Sequence, residues 1–341
     1  LERGAIASQK SLVGGVESAD SRSKAGHEWP TRRALAKGEV KMVRPVDSAM
    51  MARITNKPGF LAALDQSGGS TPGALRLYGV PDSDYSGDAE MFRIMHEMRV
   101  RIIVAPAFSG DKVIGAILFE ATMDGEVLGQ PVPGFLWKNR SVVPFLKVDK
   151  GLQSVADGVQ MMKPIPDLDA LLARATSLGV FGTKMRSVIT AASRTGIDAI
   201  VAQQFELAGQ IASHGLMPIL EPEILLKTPD KADAEALLLT ALMRGLDTFS
   251  EGQVMIKVAI PEIPDHYAPL ISHARTARLL ALSGGQSQSE ACARLAANHG
   301  MIASFSRALI GDLKRGMSDV VFDQTLSRSI DAIYQASTQK L

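Results

Sequence analysis

Lys257 stands in the middle of the run Gln253-Val254-Met255-Ile256-Lys257-Val258-Ala259-Ile260, where an ammonium group has no route to solvent unless the strand opens onto a site. An amine buried among other cations, here Lys184 and Lys147, loses its proton more readily and becomes a nucleophile towards a carbonyl, which is Schiff-base chemistry. The competing reading is a lysine paired with Glu221 for structure alone. Glu221 falls on the predicted strand between those bearing Lys184 and Lys257, so a carboxyl of raised pKa there could donate and remove the protons that a carbinolamine exchanges. Asp65 is a candidate base for a substrate hydroxyl; its alternative role is to cap the turn Ser67-Gly68-Gly69-Ser70-Thr71-Pro72.

Three pairs are spaced i, i+2: Lys147 with Asp149, Lys184 with Arg186, and Glu221 with Glu223. Side chains two apart on a strand share a face, so each pair can project into one cavity. A single charged strand end is as readily a structural ion pair as a functional group. A cluster of them is harder to dismiss, because desolvating each ion costs several kcal/mol and requires mutual pairing, an anionic ligand, or both.

Two glycine-rich turns have the composition of anion sites. Ser283-Gly284-Gly285-Gln286-Ser287-Gln288-Ser289-Glu290 places backbone N–H groups ahead of a helix, with Ser287 and Glu290 at capping-box spacing. Ser306 and Arg307 follow the next apolar run. The other turn, Ser67 to Ser70, follows the first run. Either turn alone is usually just a tight connection; two on one rim fit a ligand with a phosphate at each end.

The elements that must position these groups are short runs rich in Val, Ile, Leu and Phe: 59–64, 113–119, 142–148, 180–185, 216–220, 254–258, 277–282 and 301–305. Helical patterns lie between them at 89–101, 168–178, 197–214, 231–246 and 289–298, with a last one near 318–337. Eight strand-helix units predict one (β/α)8 TIM barrel, an α/β fold of about 250 residues whose active sites sit at the carboxyl ends of the strands. An open doubly wound sheet is the alternative, but no G-x-G-x-x-G or Walker-type phosphate loop supports it. Nearly every run ends in a charged or hydroxyl residue, as a barrel enzyme requires.

The 341 residues carry 37 Lys+Arg against 36 Asp+Glu, with 46% hydrophobic and 5% aromatic residues. That balance, without a basic face interleaved with aromatics, argues against a nucleic-acid partner. There is no apolar run of about 18 residues to span a membrane. The single cysteine, Cys292, cannot form an internal disulfide, and the six histidines show no metal-ligand spacing, so metal-free chemistry is expected. Residues 1–46 hold nine Lys/Arg against five Asp/Glu together with Ser8, Ser11, Ser18, Ser21 and Ser23. They are expected to be a disordered arm or the remnant of a targeting leader, with the barrel domain at 47–341.

Six motifs in order resemble class I fructose-1,6-bisphosphate aldolase, in its compact bacterial-type branch: Leu64-Asp65-Gln66-Ser67-Gly68-Gly69-Ser70-Thr71-Pro72, Leu146-Lys147-Val148-Asp149-Lys150-Gly151, Gly182-Thr183-Lys184-Met185-Arg186, Ile219-Leu220-Glu221-Pro222-Glu223-Ile224, Leu282-Ser283-Gly284-Gly285-Gln286-Ser287 and Ser304-Phe305-Ser306-Arg307-Ala308-Leu309. The resemblance spans about residues 50–338. It implies that Lys257 forms the imine with a ketose phosphate and that Glu221 is the main proton donor and acceptor. Asp65 would take the C4 hydroxyl proton, assisted by Lys184 and Glu223. Lys147 and Arg186 would line the site; Ser283, Gly284, Gly285, Ser306 and Arg307 would hold the ketone-side phosphate, and Ser67 and Ser70 would face the other.

By the same resemblance no metal or other cofactor is needed, the ligand is a phosphorylated sugar and the assembly is a homo-oligomer. The single cysteine points to a reducing compartment, so the expected location is the cytoplasm, or a plastid or other organelle if residues 1–46 are a transit-peptide remnant. The chain departs from the family pattern in three places, one being that residues 1–46 extend beyond the point where compact members usually start. It ends Ser337-Thr338-Gln339-Lys340-Leu341, with its last tyrosine, Tyr334, inside a helical pattern. A basic residue common near Gly73 is missing, with Arg76 the candidate substitute. Alternatives are another Schiff-base phosphosugar lyase or transaldolase-like enzyme, a metal-dependent aldolase, and a non-catalytic barrel that binds other proteins.

Overall fold

Apolar runs without polar alternation are what strands need when both of their faces are buried, and all eight form such strands in the computed structural model, which describes residues 46–67, 69 and 71–341. They are β1 Phe60–Leu64, β2 Val113–Leu118, β3 Val143–Lys147, β4 Gly182–Ile189, β5 Met217–Ile224, β6 Val254–Ala259, β7 Thr276–Leu282 and β8 Met301–Phe305. Each pairs in parallel with the next, and β8 returns to β1 through Leu61 opposite Ser304, closing the barrel.

Alternate residues serve two separate cores. Phe60, Ala62 and Leu64 of β1 face outward into the layer shared with the helices, whereas Leu61 and Ala63 face the barrel interior with Val143, Phe145, Ile219, Met255, Leu280 and Ile302. The interior is packed, not hollow. Phe145 fits because its neighbours lack side chains: a Cβ on Gly182 would stand 2.8 Å from the phenyl ring, and one on Gly115 would stand 3.2 Å from it. A short helix, Ser48–Asn56, closes the amino-terminal end with Met50 and Ile54, and is capped by Asp47, which accepts from Met50 N at 2.9 Å. Each fully buried aliphatic side chain of this kind contributes roughly 1.5–3 kcal/mol.

The helices Gly87–Val104, Leu168–Ser177, Arg194–Ser213, Lys231–Thr248, Gln288–Ala296 and Asp319–Thr338 lie within a few residues of the periodic patterns. Ser193, Ser287 and Ser318 cap three of them through their hydroxyls, as the serine spacing at Ser287 predicts. Helix Val132–Arg140 escaped the periodicity because Pro133-Gly134 reads as a turn; the proline falls in its first turn, where no amide hydrogen bond is lost.

β4 and β5 run beyond their expected ends at 185 and 220 and stay paired to Ile189 opposite Ile224. Arg186, Glu221 and Glu223 look like strand termini in sequence, yet the strands continue past them through buried Ser187, Val188, Pro222 and Ile224 as a wall that rises above the barrel. Residues Val159–Gln160, from the connection after β3, add an antiparallel segment to the upper end of β4. Among the described residues no helix is long and apolar enough to cross a membrane. The expectations for residues 1–46 lie outside the described residues apart from Val46, as do Gly68 and Ser70 of the first glycine turn.

Candidate active site

The inward parity of five strands brings the strand-end charges to one place above the interior plug. β3 and β4 align Lys147 with Lys184, β4 and β5 align Arg186 with Glu221, and β6 and β7 align Lys257 with Leu280. Lys184, Glu221 and Lys257 are 3%, 4% and 3% exposed, so three ionisable groups are lodged inside the protein.

They form an unbroken chain. Lys184 Nζ lies 2.6 Å from Asp65 Oδ2 and 2.8 Å from Glu221 Oε2, and Lys257 Nζ lies 2.9 Å from Glu221 Oε1. Burial alone would raise Asp65, but the ammonium groups of Lys184 and Lys257, with Lys147 behind them, pull it down to about 2. Burial likewise opposes the charge on Lys184, and Asp65, Glu221 and Asp149 outweigh it, holding that ammonium well above its ordinary value. Glu221 is raised by burial and lowered by Lys184 and Lys257, and the two cations win. The raised carboxyl expected from sequence is thus replaced by a lowered one, because Glu221 sits between two amines instead of in an apolar pocket.

The remaining residues surround this chain. Lys147 turns onto Asp149, donating to its Oδ1 and to its backbone carbonyl, each at 2.7 Å. Arg186 pairs with Glu223 across the β4–β5 wall, so Glu223 is engaged at the rim, while Asp65 pairs with Lys184 and, among the described residues, with no other cation. Ser283, Gly284 and Gly285 form a tight turn closed by Gln286 N donating to Ser283 O at 3.0 Å, with left-handed φ values of +60° and +98° at the two glycines. A Cβ on Gly285 would stand 3.0 Å from Arg307 Nη2, which places the guanidinium against that turn. Ser306 adjoins Arg307 and accepts from Gln66 Nε2 at 2.5 Å. Ser67 borders the mouth, half-buried.

Other candidates are placed elsewhere. Glu120, the charged residue just past the apolar run 113–119, pairs with Lys150 at 2.6 Å and with Arg174. Arg76 pairs with Asp82 at 2.6 Å on the surface, and Tyr334 packs against the outer core. Cavity size does not pick out this centre: a recess of about 670 Å³ lies on the flank, lined by His96, Arg101, Glu126, Phe322 and Asp323, and contains none of these groups.

One contributor was absent from the sequence reading. Arg99, 1% exposed, lies behind Asp65 and donates to Gln66 O at 2.5 Å and Thr122 Oγ1 at 2.8 Å. Its signal was an arginine within the apolar stripe Met91, Met95, Met98 and Ile102 of helix Gly87–Val104. Ser304, quoted in the sixth motif but given no role there, faces inward opposite Leu61, its hydroxyl buried and without a hydrogen-bond partner among the described residues. Four buried or nearly buried cations, Lys147, Lys184, Lys257 and Arg99, therefore face three carboxylates, Asp65, Asp149 and Glu221. The excess positive charge suits an anionic ligand, and an amine flanked by a carboxylate suits carbonyl chemistry. Among the described residues no group of His, Cys, Asp and Glu is arranged to hold a metal ion.

Residues 63–251 match the family model described as fructose-bisphosphate aldolase class-I. A curated relative from Synechocystis sp., fructose-bisphosphate aldolase class 1, is 54% identical over 288 residues, 84% of this chain and 96% of the relative. A protein of the same name from Porphyromonas gingivalis is 49% identical over 292 residues, 86% of this chain and 99% of the relative. The solved fructose-bisphosphate aldolase of Plasmodium falciparum, crystallised with TRAP and a small-molecule inhibitor, superimposes with a TM-score of 0.67 at 20% identity, covering 89% of this chain and all of that one. At that identity the match concerns the fold, a TIM barrel shared over the whole partner chain.

Proposed function

The chain belongs to the class I fructose-bisphosphate aldolases, and we propose that Lys257 is its imine-forming residue, with Glu221, Lys184 and Asp65 moving the protons. The family activity is the reversible, metal-independent cleavage of fructose 1,6-bisphosphate to dihydroxyacetone phosphate and glyceraldehyde 3-phosphate, the aldol step of glycolysis and gluconeogenesis. The observation that carries the residue assignment is the buried chain Asp65–Lys184–Glu221–Lys257 at the mouth of the barrel.

The steps follow from those distances. Imine formation needs the Lys257 amine without its third proton, and Glu221 Oε1 at 2.9 Å is placed to take it. The amine adds to the C2 carbonyl, the carbonyl oxygen gains a proton, and the carbinolamine loses its hydroxyl as water with Glu221 returning the proton. The resulting iminium is an electron sink. Asp65, held ionised by Lys184 at 2.6 Å, accepts the C4 hydroxyl proton while the C3–C4 bond breaks. Its electron pair moves into the iminium to give an enamine, and C4 departs as an aldehyde. A carboxylate held at about 2 is a weak base, so this transfer is driven by the alcohol becoming a carbonyl. Protonation of the enamine at C3 and hydrolysis then release the ketone half.

For the two phosphates we assign Ser283, Gly284, Gly285, Ser306 and Arg307 to the ketone side, supported by the proximity of Arg307 to the glycine turn, and Ser67 with Ser70 to the other. A homo-oligomeric assembly is proposed on the family resemblance and is tested by sedimentation. The chemistry is tested by borohydride reduction with dihydroxyacetone phosphate in EDTA, followed by mass spectrometry of the labelled peptide. A reduced adduct on Lys257 supports the assignment; folded protein unmodified there at saturating ligand overturns it.

A further inference from the structure

We propose that Gln66 is a positioning residue for the ketone-side phosphate, with its amide oriented by Arg99 so that the Ser306 hydroxyl is free to donate to a phosphate oxygen. The inference rests on the aldolase reading above and adds residues outside the assigned catalytic and binding set.

An amide side chain has one accepting end and one donating end, whereas a guanidinium only donates. Arg99 is 1% exposed and Gln66 8% exposed. Arg99 Nη2 lies 3.4 Å from Gln66 Oε1 and 2.5 Å from the Gln66 backbone carbonyl. The accepting end of the amide therefore faces Arg99, and the donating end faces away. Gln66 Nε2 gives its hydrogens to Ala63 O at 3.2 Å and to Ser306 Oγ at 2.5 Å. The reverse orientation would set NH2 against guanidinium and carbonyl against carbonyl.

Ser306 Oγ, having accepted from Gln66, keeps its own O–H as a donor. Among the described residues its oxygen accepts no cap bond from the following short helix, so Gln66 is the group that fixes its orientation. The next residue is Arg307, whose guanidinium lies against the Gly285 turn. A hydroxyl donor and a guanidinium side by side at a glycine turn are suited to an anionic oxygen. Because Gln66 follows Asp65 in the chain, one residue ties the loop of the base to the phosphate turn. Arg99 serves as the anchor: burial pulls it down to about 10, and Asp65 is the charge that counters this.

The test compares two ketones trapped on the same protein by borohydride, dihydroxyacetone phosphate and dihydroxyacetone, through the ratio of their half-saturating concentrations. That ratio is read on folded, reactive molecules only, so a variant that folds poorly still reports it. In Gln66→Met, close in volume, the advantage of the phosphorylated ketone is expected to fall about tenfold, the size of one oriented hydrogen bond. Gln66→Glu is expected to lose at least as much, because an acceptor-only group forces Ser306 to donate to it. Ser306→Ala should match Gln66→Met, and the double variant should lose no more than either single one. An unchanged ratio in Gln66→Met, or fully additive losses, overturns the inference while leaving the imine assignment intact. Absence of any adduct in the unsubstituted protein would instead remove the aldolase reading and this inference with it.

Discussion

Lys257 and Glu221 meet at 2.9 Å across neighbouring strands β6 and β5, each with only a few per cent of its surface exposed. A buried ion pair of this kind is poor value for stability, since desolvation of the two groups can match or exceed their attraction. In the proposed mechanism its use is chemical: the acid and the amine assigned to exchange a proton are already in contact before any ligand arrives. Lys184 on the far side of Glu221 keeps that carboxylate ionised and ready to accept.

Replacing Lys257 by methionine should remove borohydride-trapped adduct entirely and lower kcat/KM by at least about a thousandfold, because no other amine in the chain of charges faces the mouth without two carboxylates on it. Lys184, which touches both Asp65 and Glu221, is the only alternative nucleophile in that chain. Adduct appearing on Lys184 in the Lys257→Met protein would contradict the assignment.

Glu221→Gln keeps the shape and removes the proton exchange. The expected loss in kcat is about 10²–10⁴-fold, the usual size of a general acid–base contribution. Adduct should still form on Lys257, but slowly, so rapid-quench trapping separates this outcome from simple misfolding. Adduct forming at the unsubstituted rate would show that another group carries the proton.

Asp65 makes a definite prediction for acid stability. Its carboxyl is pulled from 3.8 to about 2 in the folded protein, so it contributes stability that is complete above about pH 4 and is lost as pH falls towards 2. Unfolded chains bind the proton first in that window, hence stability rises with pH there, by about 2 kcal/mol in total for this one group. Urea titrations between pH 2 and 5 should show that slope, and Asp65→Asn should flatten it. A slope unchanged in the asparagine variant would place the acid sensitivity elsewhere.

How much of this was legible in sequence varies by element. All eight strands were readable because both faces of each are buried, leaving runs such as Val113–Leu118 with no polar interruption. The convergence of Asp65, Lys184, Glu221 and Lys257 was readable from parity and strand order, since alternate residues share a face. The direction of the Glu221 shift was not, because it depends on two amines lying within 3 Å, a distance that spacing along the chain does not carry. Nor was the full length of β4 and β5, where inward charges mimic strand ends. Arg99 hid in a helix pattern: a charged residue at a core position is usually read as noise in an apolar stripe, and here it is a buried group tied to the turn after β1.

Lys184 should be the costliest single removal for the fold. It is 3% exposed and pairs with two carboxylates that are themselves buried. Lys184→Met removes the one ion pair that Asp65 makes among the described residues and leaves Glu221 with Lys257 alone there, and breaking a buried pair on one side typically costs about 3–5 kcal/mol. Chemical denaturation at neutral pH measures it. Adding Asp65→Asn to that variant should recover part of the loss, since a neutral amide is cheaper to bury than an unpaired carboxylate; a double variant less stable than Lys184→Met would refute the pairing account.

The glycine turn offers a local test of the phosphate assignment, because its two glycines differ in what a methyl group would meet. At Gly284, φ is +60° and the nearest atom to an added Cβ is Leu282 Cδ1 at 3.7 Å, so alanine there brings backbone strain without a clash. At Gly285, φ is +98° and the Cβ would stand 3.0 Å from Arg307 Nη2, so alanine strains the backbone and also displaces the guanidinium. Both substitutions should destabilise the folded protein by about 1–2 kcal/mol through the left-handed backbone. Only Gly285→Ala should in addition raise KM for fructose 1,6-bisphosphate and weaken inhibition by inorganic phosphate, by about tenfold for a displaced charged contact. Arg307→Ala should reproduce that kinetic loss without the backbone cost, and combining it with Gly285→Ala should raise KM little further. Equal kinetic effects from Gly284→Ala and Gly285→Ala would mean that the turn geometry, and not the guanidinium beside it, holds the phosphate.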